Sequence, residues 1–208
     1  MLNPVLFVLV PVAIAASAAA NENPYRLVDK QVVLQEFAQC VFEQAPQRSR
    51  AFLATPIDTA EEESAAQTLF TGQFPCIKER PHLSMQTGAA RGALAEAVLK
   101  SDQALSRQLA ALQPVDTARP TETDGRKFVY AYAQCLTAKA PAQARELIGT
   151  EPASTAERQA MMAFDQALSD CMPTGLSYQI NIRDVRNHVA TALYDRAIAS
   201  SGGGDTNA

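Results

Sequence analysis

Apolar positions recur at helical spacing from the first quarter of the chain onward. Leu34, Phe37, Ala38 and Val41 stand at i, i+3, i+4 and i+7, and Val129, Tyr132, Ala133 and Leu136 reproduce the stripe. Pro46 and Pro141 end these stripes, because a proline cannot continue a helix but fits the first turn of a new one. A short second helix carrying Phe52 and Leu53, or Leu147 and Ile148, is therefore expected. Thr59-x-x-Glu62 and Ser154-x-x-Glu157 have the form of capping boxes, in which a hydroxyl and a carboxylate satisfy the free amides of a helix start. Each opens a third helix whose buried face ends on a cysteine: Ala65, Leu69, Gly72 and Cys76, or Ala160, Phe164, Ala167 and Cys171. Pro75 should distort the last turn of the first of these. Leu83 and Met85, and then Tyr178, Ile180 and Ile182, alternate with polar residues and predict one short extended segment after each third helix. A last helix, N-capped near Thr87, buries Leu94, Ala97 and Val98, matched by Val189, Ala192 and Leu193. In its first occurrence it should run on through Leu105, Leu109 and Leu112.

The pattern is written twice, and a shift of 95 residues superposes the copies. Ala38-Gln39-Cys40 falls on Ala133-Gln134-Cys135, Ala45-Pro46 on Ala140-Pro141, Arg50 on Arg145, Cys76 on Cys171 and Arg91 on Arg186. The expected fold is all-α: two tandem homologous units of about four helices each, packed about a pseudo-twofold axis. The first unit spans 21–112 and the second 122–200, joined by a linker at 113–121 rich in Pro, Thr and Asp. Residues 201–208, SGGGDTNA, read as a disordered tail.

Composition adds compartment and excludes partners. The first 20 residues are apolar and then small, with Ala18 and Ala20 placed as an A-x-A cleavage signal, and we expect a secretory signal peptide over 1–20. A retained membrane anchor is the alternative, although Pro4 and Pro11 interrupt the stretch. Beyond residue 20 no apolar run approaches spanning length, so the mature chain is expected in the periplasm or outside the cell, without a membrane span. Net charge is −4, and no Lys/Arg cluster offers a surface to nucleic acid.

Four cysteines in an exported chain allow three pairings, and duplication selects Cys40 with Cys76 and Cys135 with Cys171, one bridge inside each unit. Closing a loop of about 37 residues removes unfolded-state entropy worth roughly 4 kcal/mol on the chain-entropy model. A zinc site is disfavoured because no close C-x-x-C or H-x-x-x-H pair exists, and His82 and His188 do not correspond under the shift. No nucleophile elbow, phosphate loop or dinucleotide fingerprint appears, so no catalytic residue, cofactor or metal is assigned. The recurrent polar residues remain as candidates for a ligand or inter-unit contact: Arg91, Arg186, Gln39 and Gln134. The arginine stems can pack while their guanidiniums pair with carboxylates or helix-end carbonyls, or the pair can bind an anion. Gln39 and Gln134 project away from the apolar stripe, toward solvent or toward the other unit.

The string FAQC-x4-AP-x3-R-x-FLAT, followed by the capping box, a cysteine and RGALAEAV, resembles a family of small exported bacterial proteins of unknown function that carry this helical unit once or twice. The second unit departs from it, reading RNHVATAL. The resemblance implies export and duplication, and it implies no activity, cofactor or catalytic residue. The expected role is a non-catalytic interaction or structural module with an envelope or secreted protein as partner. A small-ligand binder or enzyme working in the cleft between units is the alternative, and the oligomeric state is left open.

Overall fold

A computed structural model of the chain describes residues 29–71, 74–77, 84–123, 125–175 and 181–202. Among these residues it holds eleven helices and no strand. In order they are α1 (Lys30–Gln44), α2 (Pro46–Leu53), α3 (Ala60–Phe70), α4 (Phe74–Ile77), α5 (Thr87–Ser101), α6 (Gln103–Ala111), α7 (Gly125–Lys139), α8 (Pro141–Gly149), α9 (Thr155–Met162), α10 (Asp165–Cys171) and α11 (Ile182–Gly202). The starts of α7, α8, α9 and α11 each fall 95 positions after those of α1, α2, α3 and α5.

The two disulfides are Cys40–Cys76 and Cys135–Cys171. Each ties the first helix of its stretch to the short helix after α3 or α9. Pro46 and Pro141 sit in the first turns of α2 and α8. Thr59 and Ser154 cap α3 and α9, their hydroxyls accepting the amides of Glu62 and Glu157. The reciprocal half of each capping box is displaced by one residue. Glu62 accepts the amide of Asp58 and Glu157 that of Ala153, and both of these residues turn through positive φ.

Three boundaries differ from the periodicity. The third helix is not continuous: α3 stops at Phe70 and Cys76 lies in the separate α4, where Pro75 cannot donate to a preceding carbonyl. In the second copy the break needs no proline. Ala163 and Phe164 take a tightened turn, with the Phe164 amide on Met161 O, and α10 restarts from the buried Phe164 ring. The last helix of the first copy also divides. Asp102 leaves the helical region and accepts the amides of Ala104 and Leu105, capping α6 so that Leu105 and Leu109 belong to a new helix. Gln86 rather than Thr87 occupies the cap of α5.

Of the expected extended segments, Leu83, Tyr178 and Ile180 lie outside the described residues, as do the leader at 1–20 and residues 203–208. Met85 is non-helical, and Ile182 opens α11, which continues through Ser201 and Gly202 into the stretch read as a tail.

Two helices form the centre. Every residue of α5 from Ala90 to Leu99 is buried, because α1, α6 and α11 all pack on it. α11 has α5, α6, α7 and α8 around it. Their crossing is close enough that a Cβ built on Gly92 would stand 2.3 Å from Asn187 O. The segment after α6 lies along the second half: the Val115 amide donates to Ala138 O, and Arg119 Nε donates to Asp170 O.

Candidate functional site

Charge inside an Ala/Leu-rich bundle has to be paired, and the paired charges cluster around the α5/α11 crossing. Arg91 of α5 donates to the carbonyls of Phe52, Leu53 and Thr55, to Thr55 Oγ1 and to Glu62 Oε1. Arg186 of α11 donates to the carbonyls of Leu147, Ile148 and Thr150, to Thr150 Oγ1 and to Glu157 Oε1. Each of these Arg186 partners stands 95 positions after the corresponding Arg91 partner. The chemistry is that of a helix end: carbonyls left free where α2 and α8 terminate are taken up by a planar guanidinium, and the capping-box glutamate supplies the countercharge.

Arg186 does more than its counterpart. It also grips Glu96 of α5 with two bonds, Nε to Oε2 at 3.0 Å and an η-nitrogen to Oε1 at 2.7 Å. Both side chains are fully buried. Glu96 takes further donors from Gln35 Nε2 and from the Lys100 ammonium, one helical turn on. Burial works against the Arg186 charge, but Glu96 and then Glu157 more than offset it, so its pKa lies above the ordinary arginine value. Among the described residues Arg91 Nε, the atom corresponding to the one with which Arg186 grips Glu96, is buried without a hydrogen-bond partner.

A third arginine closes the cluster. Arg126 of α7 reaches across to Glu62 with two bonds, 2.8 and 2.9 Å. Burial disfavours the Glu62 charge, yet the Arg126 bond, the Asp58 amide and the nearby Arg91 together hold its pKa below the usual carboxylate value. Gln31 and Asn187 add an amide pair between α1 and α11, bonded in both directions.

The arginine candidates thus lie in the interior, and Arg186 joins α11 to α5 through Glu96. The glutamines go elsewhere. Gln39 bonds to Glu43 on α1 and to Ser101 on α5. Gln134 is exposed beside Thr117, Arg119 and Arg196, along the segment that precedes α7. Arg50 and Arg145, also repeated, hold the two ends of α6: Arg50 pairs with the cap Asp102 at 2.7 Å, and Arg145 donates to Leu109 O and Leu112 O.

Glu96 and Arg126 are the members that reading the sequence passed over. The signal for Glu96 was present, since a single acid inside GALAEAVL sits where every neighbour is apolar. Nothing local marks Arg126.

At the N-terminal ends of α5 and α7 the bundle leaves an open groove of about 640 Å³, whose walls include Met85, Thr87, Gly88, Arg126, Asp184 and His188. Burial lowers the His188 pKa and so favours the neutral imidazole, with Asp184 partly countering it. Among the described residues no group of three or more His, Cys, Asp or Glu side chains is arranged to hold a metal ion, and no helix is long and apolar enough to cross a membrane. No protein-family model, curated protein or solved structure matches the chain.

Proposed function

We propose that the chain is an exported, non-catalytic interaction module, built from two duplicated disulfide-stapled helical units packed about a pseudo-twofold axis, and related to the exported bacterial proteins its repeated motif resembles. The observation that carries this reading is the internal use of Arg91 and Arg186, the two charged residues both halves share at the α5/α11 crossing. Their η-nitrogens are taken by carbonyls and glutamates of the fold, so what duplication retained is a way of closing the bundle rather than a way of holding an anion. Duplication is further supported by the helix starts, the bridges and the arginine partners, which all share one 95-residue shift. Export is supported by two disulfides, which persist in oxidising compartments.

The test is fractionation and photo-crosslinking of the tagged full chain in cells. Processing after Ala20, recovery from periplasm or medium, and a discrete crosslinked envelope partner are expected. A cytoplasmic chain, or a chain that crosslinks to nothing in any fraction, overturns the proposal.

A ligand-binding role is the second reading, and the groove beside His188 and Arg126 favours it. A thermal-shift screen of small polar metabolites, followed by His188→Ala on any hit, separates the two. Stabilisation that the variant abolishes would move the function to this groove.

A further inference from the structure

The two bridges are not equivalent in their surroundings. Cys135 and Cys171 are buried, at 3% and 0% exposure. The helix bearing Cys171 has polar tethers as well: Tyr132 donates to Leu168 O at 2.9 Å and Arg119 to Asp170 O at 2.9 Å. Cys40, by contrast, is only partly buried, and its Sγ accepts from Gln44 Nε2 at 3.4 Å in an exposed contact. Its partner Cys76 is buried in α4, between Pro75 and Ile77, neither of which carries a hydrogen-bonding side chain. The bridge is a covalent link between α4 and α1.

Thiol–disulfide exchange requires a thiolate to reach one sulfur. A buried bridge meets that requirement only after local opening, whereas a partly exposed one meets it in the folded state. We propose that Cys40–Cys76 is a thiol-exchange site for dithiol reductants, attacked at Cys40, while Cys135–Cys171 is a closed structural bridge. A reductant thiolate bonds to Cys40 Sγ and expels Cys76 as thiolate. The second thiol of the reductant, as thiolate, then attacks its own sulfur in the mixed disulfide and expels Cys40. The reductant leaves oxidised as a disulfide, both cysteines leave reduced, and the two protons of the dithiol end on them. Freed from the bridge, α4 loses its covalent tie to α1. Ile77 is a wall of an apolar groove of about 340 Å³ that also includes Phe37, Ala66 and Phe70, so reduction loosens that wall.

The experiment exposes the folded, oxidised full chain to limiting dithiothreitol at neutral pH, traps free thiols by alkylation and maps them by mass, with helical content followed alongside. Cys40 and Cys76 should be labelled at least about tenfold faster than Cys135 and Cys171, with helicity largely kept. Equal rates, faster release of the second bridge, or reduction only on global unfolding would overturn the proposal. Cysteamine, a monothiol, should leave its mixed disulfide on Cys40, and an adduct on Cys76 in its place contradicts the assigned direction of attack. The Cys40→Ser/Cys76→Ser chain, retaining only the second bridge, should resist the same reductant. Reduction of that variant as fast as the wild-type first bridge would place the reactivity elsewhere.

Discussion

Gly92 lies directly against the backbone of Asn187, and the two residues stand 95 positions apart. Residues 95 apart in the chain thus meet where α5 crosses α11. A Cβ at Gly92 would meet Asn187 O, Cα and Cβ at 2.3 to 2.5 Å, all atoms fixed by the helix. Gly92→Ala should therefore force the helices apart and cost about 1–3 kcal/mol in chemical denaturation. Gly88→Ala is the control: its nearest atom is Arg126 Nε at 3.3 Å, in a side chain able to shift, so it should be nearly neutral. Equal effects of the two substitutions would mean the crossing is not tightly set.

The Arg186–Glu96 pair should behave as a lock between α11 and α5. Arg186→Met strips the buried Glu96 and Glu157 of their shared cation, and a cost of about 3–5 kcal/mol is expected from urea unfolding. Adding Glu96→Gln removes a charge that is otherwise stranded, so the double variant should be more stable than the sum of the single losses by about 1–3 kcal/mol. Strict additivity would show that Lys100 and Gln35, which also reach Glu96, carry the interaction instead.

Much of this architecture could be read from residue pattern, because the signals are local. Pro46 and Pro141 start helices, Thr59 and Ser154 cap them, and a shared shift pairs the cysteines correctly. Periodicity failed where one turn ends a helix without disturbing the stripe. Leu105 and Leu109 keep the spacing of α5, yet Asp102 caps a new helix between them and Leu99. The turn at Ala163 and Phe164 is similarly silent, since both residues suit a helix and the buried ring decides. Site residues were legible as repeated types and not as partners. Arg91 and Arg186 stood out, but that the capping-box glutamates turn inward to meet them depends on how α2 and α3 fold back, which no spacing expresses.

Glu62 links capping, Arg91 and Arg126, and its lowered pKa makes a prediction in acid. A carboxylate whose folded pKa lies below the unfolded value of 4.5 binds fewer protons in the native state between the two values. Its stabilising contribution is complete above 4.5 and is lost as pH falls through the folded value. Glu62→Gln should cost about 2–4 kcal/mol at neutral pH, with the two proteins converging in strong acid. A constant difference down the whole range would mean that shape, not charge, accounts for the loss.

Asp195 predicts the opposite sign. It accepts a hydrogen bond from the Tyr130 hydroxyl between α7 and α11, and burial raises its pKa above 3.8 despite that bond and the nearby Arg91. An acid with a raised folded pKa favours folding most when protonated, so its contribution is present below the unfolded value and is lost as pH climbs through the folded one. At neutral pH the charge on this partly buried carboxylate is a cost. Asp195→Asn keeps an oxygen for Tyr130 and removes the charge, and it should raise Tm by about 2–4 °C at pH 7. The gain should shrink toward zero near pH 3, where wild-type Asp195 is itself neutral. A variant less stable than wild type at pH 7 would show that ionised Asp195 is a needed partner, with the unpartnered Nε of Arg91 as the natural place to look for its cation.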